Sequence, residues 1–175
     1  ASSKTKAIST ILSSEMQALG GDIRAVIITD FEKTSATTLV EGVMDDEAGG
    51  AVAAFRQAVR CDNVDLLNPI LMTGSTVLVD DDLAEEFLKA ANNWIKERDL
   101  AITLIDELRG DYHEIIGKGK DWIPRHYSLM ITEFFQSGIT KCLIGTRGLL
   151  GEGWDASKIN VLIDLTTVTT SMSIN

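Results

Sequence analysis

Cysteine, proline and histidine each occur only twice in the 175 residues. Two cysteines, Cys61 and Cys142, are too few for a disulfide framework and suit a reducing, cytoplasmic setting. With the two histidines also far apart in sequence, no zinc spacing exists. Two prolines leave no proline-rich linker, and neither a repeat nor a low-complexity tract is visible. Cations are short as well: Lys plus Arg is 16 against 26 Asp plus Glu, a formal net charge of −10. The sequence pI is near 4.6. That excludes a simple basic glove for nucleic acid, because phosphate binding draws its affinity from Lys and Arg. It leaves room for a local basic stripe. No apolar run approaches the roughly 20 residues of a membrane span. No charged-then-apolar signal segment opens the chain. The chain starts at Ala1 without a Met and is read as an excised piece of something longer.

Familiar catalytic signatures are missing too. There is no Gly-x-x-x-x-Gly-Lys-Ser/Thr phosphate loop. No Gly-x-Gly-x-x-Gly joins a strand to a helix; Gly151-Glu152-Gly153 comes nearest, without the third glycine. No Gly-x-Ser-x-Gly elbow occurs. A complete hydrolytic site of a familiar kind is not expected in this chain.

What is present is ordinary globular composition, 45% hydrophobic and 24% charged. A chain of this length suits one domain with a real core. Short apolar, mostly β-branched runs recur at Ala25-Val26-Ile27-Ile28-Thr29, Ile70-Leu71-Met72, Val77-Leu78-Val79, Cys142-Leu143-Ile144 and Val161-Leu162-Ile163. They fit strands buried on both faces, as in a parallel sheet covered by helices. Between them lie helical stripes. Ile8, Ile11, Leu12 and Leu19 form one that Gly20-Gly21 ends, and Val52, Phe55 and Val59 a second. Leu83, Phe87, Leu88, Ala91, Trp94 and Ile95 form the clearest. Tyr127, Met130, Ile131 and Phe134 form the last, with Pro124 at its start and Gly138 in the C′ position. The alternation predicts an α/β domain of three layers, with a mostly parallel sheet and helices on both faces. The stretch 101–119 admits a hairpin, Ile102 to Ile105 against His113 to Ile116, turning at Arg109-Gly110-Asp111.

Each motif has a functional and a plain reading. Asp80-Asp81-Asp82 closes an apolar run, as magnesium-binding carboxylates do. The plainer reading has Asp82 capping a helix from Leu83 with Glu85 three residues on, and takes precedence. Thr73-Gly74-Ser75 offers small residues and backbone N–H groups suited to phosphate, yet composition alone favours a plain turn. His113 and His126 show no sequence partner and read as surface or satisfied core histidines. Cys61 and Cys142 read as small buried residues. Asp45-Asp46-Glu47 reads as a solvated turn. The richest stretch is Gly145-Thr146-Arg147-Gly148-Leu149-Leu150-Gly151-Glu152-Gly153-Trp154-Asp155. It follows a strand directly, where open α/β sheets bind ligands. Its threonine and arginine suit phosphate, and its carboxylates suit ribose hydroxyls or a partner's arginine. Leu149, Leu150 and Trp154 are expected to pack on the core.

Residues 145–155 resemble motif V of superfamily 2 helicases, in the DEAD/DEAH-type branch whose motif V ends Glu-Gly-hydrophobic-Asp. The strand at 160–165 and the residues after it look like the approach to motif VI, Gln-x-x-Gly-Arg-x-x-Arg. The strand at 24–31 is similar to the motif IV strand, and Thr73-Gly74-Ser75 matches the position of a nucleic-acid-contacting loop. The resemblance implies that residues 1–175 are a second, C-terminal RecA-like (P-loop NTPase-like) domain, truncated before motif VI, with an insertion around 101–120. It implies Thr73, Gly74, Ser75, Thr146, Arg147 and Gly148 as nucleic-acid contacts. It implies Gly151, Glu152, Gly153 and Asp155 as the nucleotide-facing, interdomain set. ATP and Mg would then be held mainly by a first RecA-like domain, the expected partner along with DNA or RNA. The chain would not hydrolyse ATP alone, lacking P-loop, DExx box and arginine finger. Two readings compete: a catalytically silent acidic α/β interaction domain, and a magnesium enzyme built on Asp30, Asp80 and Asp82.

Overall fold

The computed structural model describes residues 2–30, 50–61, 64–151, 154 and 157–166. Helix α1, Ser2–Leu19, ends at Gly20 (φ 58°) and a 3-10 turn, Gly20–Asp22. Strand β1 is Ala25–Thr29, followed by α2, Gly50–Val59, and a short α3, Val64–Leu67. Strand β2 is Ile70–Met72 and β3 is Val77–Asp80. A 3-10 turn, Asp81–Leu83, leads into α4, Ala84–Glu97. Strands β4, Thr103–Leu108, and β5, Tyr112–Lys118, form a hairpin. Then come α5, Pro124–Ser137, β6, Cys142–Thr146, the single turn α6, Arg147–Leu150, and β7, Val161–Asp164.

Among the described residues seven strands join one sheet in the order β4-β5-β3-β2-β6-β1-β7. Strands β2, β6, β1 and β7 run parallel. One buried cluster on the first face unites Ile8 and Leu12 of α1, Phe55 of α2, and Ile27 and Ile144 of the sheet. A second, on the other face, unites Phe87 and Trp94 of α4, Met130 and Phe135 of α5, and Val26 and Leu143. The fold is therefore α/β in three layers. Strands covered on both sides need apolar residues in succession, which is why β6 is buried at every position.

The sheet departs from the expected parallel pattern at β3, which runs antiparallel to β2. The physical reason is chain length. Four residues, 73–76, separate the two strands, whereas a parallel crossover needs a dozen or more. The hairpin admitted by the sequence adds β5 antiparallel to β3, and β4 outermost. It turns where Arg109 N–H donates to Tyr112 O (2.7 Å), with Gly110 at φ 93°.

Helix ends follow the sequence signals with one correction. Pro124 opens α5, and Gly138 closes it at φ 94°, its N–H donating to Phe134 O (3.0 Å). The residue capping the turn before α4 is Asp80, not Asp82: its carboxylate accepts from the Asp82 N–H (3.1 Å). Asp80 is buried at the end of β3, where extended backbone lets its side chain reach forward two residues.

His113 of β5 is far from partnerless. Its Nδ1 meets Asp106 Oδ1 and its Nε2 meets Asp81 Oδ1, both at 2.6 Å. Ionised carboxylates only accept, so the protonated imidazole is the form that satisfies both contacts. Burial opposes the imidazolium, but the hydrogen bonds it donates to Asp81 and Asp106 outweigh that and raise the His113 pKa above its ordinary value. A raised native pKa stabilises fully below the unfolded value, about 6.5, and the contribution disappears as pH rises through the native pKa. The unsubstituted protein is thus expected to lose urea resistance relative to His113→Gln as pH rises from about 6 to 9. A pH-independent gap between the two urea midpoints would contradict this pairing.

Candidate functional site

The C-terminal ends of the four parallel strands lie along one edge of the sheet. Register places them side by side: Met72 opposite Gly145, Thr29 opposite Thr146, and Ile28 opposite Asp164. Ligands of open α/β sheets bind at such an edge. It gathers the 73–76 turn, the 145–151 bend, Asp30 beyond β1, and Leu165 and Thr166 beyond β7.

The bend begins with a glycine that the packing demands. A Cβ on Gly145 would stand 2.6 Å from Leu150 Cδ1 and 2.8 Å from the Met72 carbonyl. Leu150 folds back over β6 and is 2% exposed, so α6 sits directly on the sheet. Leu149 and Trp154 also lie against the second core, as expected. Trp154 Nε1 donates to Thr132 Oγ1 at 2.9 Å, anchoring the end of the bend to α5. Thr146 is buried and extended ahead of α6. Gly148 is exposed, and a Cβ there would meet nothing within 4 Å. At Gly151 a Cβ would stand 2.4 Å from the Arg147 carbonyl.

Arg147 is the cation of the 145–151 bend. Its Nη2 donates to Asp30 Oδ1 at 3.0 Å, and its side chain is 40% exposed. Asp30 was not legible as its partner, since 117 residues separate them. Only the adjacency of β1 and β6 joins the two. The pair is half-buried, with the Asp30 side chain only 17% exposed.

The 73–76 turn is more closed than the sequence suggested. Thr73 is fully buried, and its Oγ1 accepts from Ser75 N–H (3.2 Å) and Thr76 N–H (3.0 Å). The turn thus consumes amides that phosphate would use, because a threonine hydroxyl reaches the backbone two and three residues on. Gly74 and Ser75 are exposed. The turn is braced from α5, where the Tyr127 hydroxyl donates to the Thr73 carbonyl. Trp122 stacks on Tyr127, with ring centroids 4.8 Å apart. Neither aromatic was singled out from sequence, beyond Tyr127 as a core position.

Glu152, Gly153 and Asp155 lie outside the described residues, as do Asp45-Asp46-Glu47 and residues 167–175. The three-aspartate magnesium arrangement does not form. Asp80 is opposite the start of β2, at Pro69, whereas Asp30 lies beyond the end of β1, so the two occupy opposite edges. Among the described residues no group of three His, Cys, Asp or Glu is placed to hold a metal. Cys61 and Cys142 are buried thiols, and burial pushes the Cys142 thiol well up, which makes it a poor nucleophile. Among the described residues no helix is long and apolar enough to cross a membrane. No family model matches the chain, and neither a curated protein nor a solved structure matches it.

Proposed function

We propose that this chain is the second motor domain of an ATP-dependent nucleic-acid helicase or translocase of superfamily 2. The observation that carries the reading is the β2–β6 register. Met72 lies opposite Gly145, so the exposed Gly74 and Ser75 and the exposed Gly148 occupy neighbouring positions on one edge. Two loops assigned to the same strand of nucleic acid need that adjacency.

In this reading the exposed Gly148 and the half-exposed Arg147 meet the sugar-phosphate backbone, and the buried Thr146 holds the entry to the bend. Gly151, Glu152, Gly153 and Asp155 face nucleotide, ribose or a first RecA-like lobe. That lobe carries the P-loop and DExx box and holds most of the ATP and Mg. The short α6 links the two sets, so closing the cleft on ATP shifts the strand-gripping residues. The buried Leu150 makes this link stiff, because it clamps the bend to the sheet.

Two measurements test the reading. The chain alone is expected to show no ATP turnover above background, with or without single-stranded DNA or RNA, because phosphoryl transfer needs groups it does not carry. Turnover that Glu152→Ala abolishes would overturn the split-site assignment. The chain is also expected to bind a labelled oligonucleotide weakly at low ionic strength. Gly148→Glu, whose Cβ has open space, should weaken that binding without lowering thermal stability. Equal binding by both proteins would remove the strand from this edge. Retention of a basic protein in place of nucleic acid would favour the acidic interaction domain.

A further inference from the structure

The β4–β5 hairpin carries its charge unevenly. Its closed end holds Asp106, Glu107, Asp111 and Glu114 against Arg109 and the imidazole of His113. Arg109 Nη2 is spent on Glu107 (2.6 Å) and Glu114 (2.8 Å). The opposite end is cationic. Residues 118–125 place Lys118, Lys120 and Arg125 against one carboxylate, Asp121. All three cations are exposed, and the Lys120 side chain is 82% exposed. Asp121 is 19% exposed: its Oδ2 accepts from the Ala101 N–H at 2.7 Å and its Oδ1 lies 3.8 Å from Lys120 Nζ, an exposed pairing that a phosphate can exchange with at little cost.

This cationic turn is built rather than loose. Gly119 adopts φ 122°, and a Cβ there would stand 2.0 Å from the Ala101 carbonyl, so the turn lies tight against the entry to β4. Trp122 covers Gly117, where a Cβ would stand 2.2 Å from the indole. Trp122 N–H donates to Gly119 O (3.3 Å), and His126 Nδ1 bonds Asp121 O (2.8 Å). The indole then stacks on Tyr127, whose hydroxyl braces the Thr73 carbonyl. The cationic turn and the Gly74–Ser75 turn therefore share one aromatic support.

Topology places them on the same edge. Strand β5 runs antiparallel to β3 and so parallel to β2, and its last residues end beside the 73–76 turn. From β5 through β3 and β2 to β6 is three inter-strand spacings, roughly 14 Å. We infer that the 118–125 turn is an added phosphate-binding track for single-stranded nucleic acid, which lengthens the contact of Gly74, Ser75 and Gly148 toward the hairpin side of the sheet. The inference rests on the motor reading for those three residues. It explains how a chain of net charge −10 presents a polyanion with a local cationic edge. The acidic far end of the hairpin repels the strand and keeps it on that edge.

The test is fluorescence anisotropy with labelled oligothymidylate and oligouridylate over a salt series. The proteins compared are the unsubstituted chain, the triple variant Lys118→Ala/Lys120→Ala/Arg125→Ala, and Gly148→Glu. Each lost phosphate contact removes about 0.7 from the slope of log affinity against log salt for a single strand, so the triple variant is expected to lose about 2. Its thermal melt should be unchanged, because the three side chains are exposed. An unchanged slope and affinity in the triple variant, with binding weakened by Gly148→Glu, overturns the added track and leaves the motor reading standing. No binding by the unsubstituted chain at low salt overturns both.

Discussion

Phe87→Ala is expected to destabilise the protein by about 3–5 kcal/mol, the usual range for emptying a fully buried phenylalanine site. Phe87 is 0% exposed on the inner face of α4. It meets Phe134 of α5 edge-to-face, with centroids 5.6 Å apart and planes at 90°. Such a pair adds to simple area burial. Truncation loses the transfer energy, leaves a cavity and unseats the contact between the two helices covering the second face. Domain stabilities are about 5–15 kcal/mol, so the loss is a large share of the total. Urea unfolding should show a lower midpoint at an unchanged slope. Phe87→Leu, which keeps most of the volume, should recover most of the loss. A midpoint unmoved by Phe87→Ala would mean that α4 and α5 do not pack this way.

Two glycines three residues apart should respond in opposite senses. Gly145→Ala forces a methyl to within 2.6 Å of Leu150 and 2.8 Å of the Met72 carbonyl. Leu150 is buried and the carbonyl belongs to β2, which is held between β3 and β6, so neither yields freely. Overpacking of this kind costs about 1–3 kcal/mol. Gly148→Ala meets nothing within 4 Å, and alanine is the better residue in a helical turn. It should leave the urea midpoint unchanged or slightly raised. The contrast separates a glycine required by the sheet from one open to a ligand. Equal effects at the two positions would mean that α6 does not lie on β6 as described.

The elements were largely written in local pattern. The apolar runs at Ala25–Thr29 and Cys142-Leu143-Ile144 became the paired centre of the parallel region, the second as part of the strand Cys142–Thr146. The stripe from Leu83 to Ile95 became the buried face of α4. Gly138 was readable because a left-handed residue closing a helix favours glycine. The direction of β3 was also implicit, in the four residues joining it to β2, yet a run of apolar residues reads alike in either direction. The cap before α4 was misassigned by two residues because a carboxylate at 80 or 82 satisfies the same pattern.

The site was legible in part. The 145–151 bend announced itself by position after a strand and by its glycines. Its ion pairing did not, because Arg147 is paired with a residue 117 positions away. The same holds for His113, whose partners Asp81 and Asp106 come from the turn before α4 and from β4. Sequence by itself determined an alternating α/β chain and many of the residues that enter its core. These follow from side-chain periodicity and backbone preference, which act over a few residues. Only the tertiary structure decided that β6 lies between β2 and β1. That order sets Gly74, Gly148 and the Arg147–Asp30 pair on one edge, because strand neighbours are chosen by packing across the whole sheet and leave no local mark.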